Sequence, residues 1–87
     1  MRILFVEDSA PIRKPVTKAL KASGYAVDAT GDGAEGWQLS QDHDYDVAIL
    51  DIMLPGMDGR EILRRMRAAG NETPVLFLTA KDAIEDR

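Results

Sequence analysis

An alternating α/β fold, a parallel sheet with helices on both faces, is the class this 87-residue sequence predicts. Short apolar runs fall at residues 3–6, 25–29, 47–50 and 74–78, and each has the length of a buried strand. Between them lie segments whose apolar residues recur at helical spacing, and a strand-helix-strand alternation closes most readily into a parallel sheet. The first and third runs also end on carboxylates, Glu7-Asp8 and Asp51. In such a sheet those ends share one rim, which is where ligands collect in open α/β folds.

The elements follow in order. After the first run, Ser9 is positioned to cap a helix beginning near Pro11, a residue favoured in a first helical turn because its missing N–H needs no partner there. Ile12, Val16, Ala19, Leu20 and Ser23 would form its inner face, with Arg13, Lys14, Lys18 and Lys21 on the others. Pro15 is awkward, at about 3 kcal/mol deeper in a helix, but close to the start it is tolerable. Gly24 ends the helix. Residues 25–29 form a weaker second strand, Gly31-Asp32-Gly33 a turn, and residues 34–41 a second helix anchored in the core by Trp37. Gly36 within it costs about 1 kcal/mol relative to alanine. Residues 42–46 read as a polar loop, with His43, the single histidine, solvated. The third strand, residues 47–50, runs into Asp51 and then the turn pair Pro55-Gly56. Asp58 and Glu61 have capping-box spacing at the start of a third helix. Ile62, Leu63 and Met66 face inward there, Arg60, Arg64, Arg65 and Arg67 face solvent, and Gly70 stops it. The fourth strand leads to Thr79, Ala80 and Lys81, and residues 82–87 look like the first turn of a further helix.

Composition narrows the function classes. With 15 acidic and 11 basic residues the net charge is -4, which argues against this segment itself gripping nucleic acid. The absence of cysteine excludes a disulfide framework and a cysteine-ligated zinc site. The opening apolar run is cut short by Glu7-Asp8, too soon for a signal peptide or a membrane span, so a soluble cytoplasmic domain is expected. A chain of this size buries only about 60–65 % of its unfolded surface, so partner surfaces matter to its stability.

Carboxylates gathered on one rim repel one another, and a divalent cation relieves the repulsion. Oxygen ligands favour magnesium or manganese. Asp51 beside such a cation is a plausible nucleophile toward phosphorus, and Thr79 supplies a hydroxyl for a phosphoryl oxygen. Taken singly, Asp51 reads as a turn-starting aspartate and Thr79 as a β-branched strand end; rim positions on separate strands make those readings less attractive.

Glu7-Asp8, the stretch Leu-Asp51-Ile-Met-Leu-Pro-Gly-Met-Asp-Gly59, and Leu78-Thr79-Ala80 together resemble the receiver domain of two-component response regulators. The wording of the middle motif is similar to that of regulators whose receiver precedes a winged-helix DNA-binding domain. The resemblance implies a flavodoxin-like sheet of strand order 2-1-3-4-5 and phosphoryl transfer onto Asp51 from a sensor histidine kinase. It implies Mg2+ held by Asp8, Asp51 and the backbone carbonyl of Met53, with Glu7 assisting through water. Thr79 and the amides of Met53 and Ala80 would hold the phosphoryl oxygens. The family's fifth strand, its terminal lysine and its fifth helix have no counterpart in residues 1–87, and Lys81 does not replace that lysine. Residues 1–87 are therefore expected to be the amino-terminal part of a receiver, ending in the first turn of the fourth helix. Phosphorylation would be impaired, and DNA would be reached only through an output domain. No membrane contact is expected, and self-association through an exposed fourth strand is.

Three rival readings stand beside this one. Gly31, Gly33 and Gly36 spell G-x-G-x-x-G after a strand and before a helix, a dinucleotide-binding pattern, although Asp32 and Glu35 would set negative charge beside a pyrophosphate. An aspartate-nucleophile phosphatase commonly has an acid two residues after the nucleophile; here that position is Met53. The third is a non-phosphorylated dimerisation module with idle rim carboxylates.

Overall fold

A computed structural model describes residues 1–78. In chain order it contains β1 (Arg2–Val6), α1 (Ala10–Ala22), β2 (Ala26–Thr30), α2 (Gly33–Asp42), β3 (Val47–Asp51), α3 (Gly59–Ala68) and β4 (Val75–Leu78). The strands form one parallel sheet of order β2-β1-β3-β4. This is the expected flavodoxin-like arrangement, and among the described residues each sequence boundary lies within a residue or two of the structural one.

Alternation along the strands divides the core in two. Leu4 and Val6 of β1 and Ala48 and Leu50 of β3 point to the face covered by α2 and α3, where they meet Ile62, Met66 and Tyr45. Ile3, Phe5 and Val27 point to the other face, against Leu20 of α1. Phe5, Leu4, Val6 and Leu50 are fully buried, so β1 and β3 are the central strands in burial as well as in order.

The second face departs from expectation. No residue of α1 is buried, and Ile12 and Val16, read as part of its inner face, are 46 % and 38 % exposed. On the same side of the sheet, Leu76 is 60 % exposed. One helix is about 10 Å across and screens about two strands, so among the described residues the β3–β4 half of this face has no cover. Among the described residues, cover of this second face is thus incomplete.

Local details correct three further expectations. Ser9 occupies the cap position of α1, but its side chain makes no capping bond; its N–H instead donates to Glu7 Oε2 at 2.9 Å. Asp58 caps α3 as expected, accepting from the amides of Arg60 and Glu61. The reciprocal half of the capping box is not made, because the Glu61 carboxylate accepts from Arg64 and from Arg65 instead. Trp37 lies at the margin of the core, only partly buried, with the Arg65 guanidinium 6.0 Å from its ring centre. Pro15 lies inside α1 on its exposed side, beyond the first turn, and the helix runs through it.

Candidate functional site

The parallel register assembles the site. Val6 pairs with Leu50, so Glu7, the next residue of the chain after β1, comes beside Asp51, the last residue of β3. Both are acids at the same end of adjacent central strands, and both are buried, at 3 % and 4 % exposure. Asp8 follows on the loop into α1 and is exposed. Carboxylate oxygens of Glu7, Asp8 and Asp51 all lie within 4.8 Å of one another. The first and third strands therefore deliver their acids to one place.

That proximity has an electrostatic signature. Burial pushes the Glu7 carboxyl above its ordinary range, the Ser9 amide pulls it back, and Asp51 and then Asp8 push it up again. Burying like charges together is costly unless something positive offsets them. The donor set is three carboxylates and no nitrogen or sulfur, which suits a small hard cation such as magnesium rather than zinc.

The loop after Asp51 is held close beneath the site. Gly59, at the start of α3, donates its N–H to the Ile52 carbonyl at 3.0 Å, and a Cβ there would fall 2.2 Å from the Asp51 carbonyl oxygen. Gly56 has φ +83°, a backbone conformation natural to glycine at this turn. Met53 is 58 % exposed, with its N–H 3.4 Å from Asp51 Oδ1. Thr79, Ala80, Lys81 and the turn over residues 82–87 lie outside the described residues.

The sequence profile of the response regulator receiver domain matches residues 3–87. The chain belongs to the response regulator receiver family. Its relatives include the transcriptional regulatory protein HprR of Escherichia coli, to which this receiver domain is 48 % identical over 87 residues, all of this chain and 39 % of the relative. Among solved structures it is similar to the response regulator TrrA of Thermotoga maritima in complex with Mg2+ and BeF, with a TM-score of 0.84 and 32 % identity, covering 97 % of this chain and 73 % of that one. It is also similar to the receiver domain of the sensor histidine kinase PA1611 of Pseudomonas aeruginosa, which has a magnesium ion coordinated in its active-site cleft. There the TM-score is 0.83 and the identity 35 %, covering 99 % of this chain and 72 % of that one.

The dinucleotide pattern finds no support in this receiver domain, and two of its glycines, Gly33 and Gly36, have a packing reason. A Cβ at Gly33 would fall 1.8 Å from the Met57 carbonyl oxygen, and one at Gly36 would fall 2.8 Å from Val6 Cγ2. Gly33 also donates its N–H to the Pro55 carbonyl. The loop from Pro55 to Met57 thus occupies the space beside this turn. Asp32, read only as a turn residue, caps α2 by accepting from the Glu35 amide at 2.9 Å. Its position three residues before Glu35 was the available signal.

Proposed function

We propose that this receiver domain takes a phosphoryl group onto Asp51 from the phosphohistidine of a sensor histidine kinase, with Mg2+ held by Asp8, Asp51 and the Met53 carbonyl and with Glu7 assisting through water. One observation carries the reading: the carboxylates of Glu7, Asp8 and Asp51 converge within 4.8 Å at the ends of adjacent strands.

Glu7 and Asp8 crowd Asp51 with negative charge, so that cation binding among the three carboxylates is favoured. Magnesium, when bound, supplies charge neutralisation between the carboxylate and the incoming phosphoryl oxygens. An Asp51 carboxylate oxygen attacks phosphorus and forms the O–P bond. The P–N bond to the histidine breaks, and its electron pair stays on the ring nitrogen. The Thr79 hydroxyl and the amides of Met53 and Ala80 donate to phosphoryl oxygens in this reading. Asp51 is both nucleophile and final acceptor, so the domain works as a signalling module rather than as a catalyst turning over a metabolite.

The chain spans 39 % of HprR, a transcriptional regulatory protein by name. In a longer chain of that kind the phosphorylated receiver would act on DNA through a separate output domain. A cytoplasmic setting fits this role, and no helix among the described residues is long and apolar enough to cross a membrane. The exposed Leu76 and Leu78 on β4 further support self-association of the 87-residue chain.

The test combines magnesium titration with mass mapping after incubation with a small-molecule phosphoryl donor. The expected result is Mg2+ binding, with a low-yield adduct on Asp51 that is labile to hydroxylamine; Asp51→Asn loses both. Equal magnesium affinity in the parent and Asp51→Asn, or an adduct mapped to another residue, would overturn the proposal.

A further inference from the structure

Arg13 stands apart from the other cations of α1. Its Nη1 donates to the Glu7 carbonyl at 2.7 Å and lies 3.4 Å from the Asp8 carbonyl. These are the backbone oxygens of two successive residues whose side chains form the carboxylate cluster. Successive carbonyls that converge on one point repel each other, and the guanidinium offsets that repulsion where they meet. On its other side the group fills a slot left by Gly31, where an added Cβ would fall 2.6 Å from Nη1 and 3.5 Å from the Asp8 Cα.

We infer that Arg13 is a positioning residue for the metal site: by holding the carbonyls of Glu7 and Asp8, it fixes the backbone that aims their carboxylates at Asp51. The inference rests on the magnesium reading above. The residue acts through the backbone, since its hydrogen bonds go to carbonyls and none goes to a carboxylate. Groups that orient metal ligands in this way commonly change affinity by about 10- to 100-fold when removed.

The sign of the effect separates positioning from simple electrostatics. Deleting a positive charge near a cation site should tighten cation binding, whereas losing a positioning contact should weaken it. The experiment titrates Mg2+ into the parent chain, Arg13→Gln, Gly31→Ala and Lys14→Gln, with the Ser9 amide resonance recorded before metal is added. Gly31→Ala displaces the guanidinium without changing charge. Lys14→Gln removes an equal charge from an exposed neighbour.

Arg13→Gln and Gly31→Ala are expected to weaken Mg2+ binding about tenfold. Both should shift the Ser9 amide, which reports the bond to Glu7 Oε2. Lys14→Gln should leave affinity unchanged or slightly tighter and the resonance in place. Unchanged or tighter binding in Arg13→Gln, with an unmoved Ser9 amide, would overturn the inference while leaving the metal site standing. A parent chain that binds no magnesium would overturn the site reading and the inference with it.

Discussion

Tyr45 shows how one residue can escape a sequence reading. It lies in the stretch 42–46, read as a polar loop, yet it is only 8 % exposed and belongs to the larger core cluster. Its hydroxyl donates to Asp28 Oδ2 at 2.7 Å, the same oxygen that accepts from Arg2 Nη2 at 2.8 Å, and the Arg2 guanidinium lies 5.5 Å from the Tyr45 ring centre. The Tyr45 hydrogen bond and then Arg2 hold the Asp28 carboxyl below its ordinary range, against the opposing effect of burial. A depressed carboxylate contributes stability that is present above its unfolded pKa and is lost as the pH falls through the folded value. Asp28→Asn is therefore expected to destabilise by about 1 kcal/mol near neutral pH, a modest figure because the pair with Arg2 is partly solvated. The difference from the parent should vanish in acid, as read by denaturant unfolding at both pH values. Tyr45→Phe should cost about 1 kcal/mol by the loss of one partly buried hydrogen bond.

At the scale of the element, α2 places helix propensity against packing. Gly36 looks like a weak point, since alanine gains about 1 kcal/mol over glycine in a helix interior. The added Cβ, however, would fall 2.8 Å and 3.2 Å from the two methyl carbons of Val6, a fully buried residue of the central strand β1. Overpacking of that kind costs about 1–3 kcal/mol, so packing should win. Gly36→Ala is expected to lower stability by about 1 kcal/mol net, and an increase in the unfolding midpoint would show that β1 and α2 can separate without cost. The same close approach explains why the glycine pattern misleads: it reports helix-to-strand proximity, which a dinucleotide site and this fold both require.

Across the whole molecule, the unevenly covered sheet is the dominant feature. Among the described residues two helices cover one face, whereas α1 alone covers the other, and Ile12, Val16 and Leu76 are exposed. Among the described residues β4 also pairs on one side only. An apolar edge strand of this kind favours pairing with another chain. The 87-residue chain should show an apparent mass by light scattering that rises with concentration, and Leu76→Lys, which places a charge on that surface, should reduce the rise. A parent that stays monomeric at high concentration would show that the edge is protected by other means.

The sequence by itself determined the order of the elements, their parallel arrangement and the acids at the strand ends. Apolar runs interrupted at Glu7-Asp8 and Asp51 are local facts, and the periodicity of a chain is visible without its partners. What only the tertiary structure decided was contact. Register brought Glu7 beside Asp51, the Gly31 slot received Arg13, Tyr45 turned inward to Asp28, and Ile12 and Val16 of α1 were left exposed. These depend on distances between segments far apart in the chain, set by how strands pair and how closely helices can approach them, and no local pattern of residues records such distances.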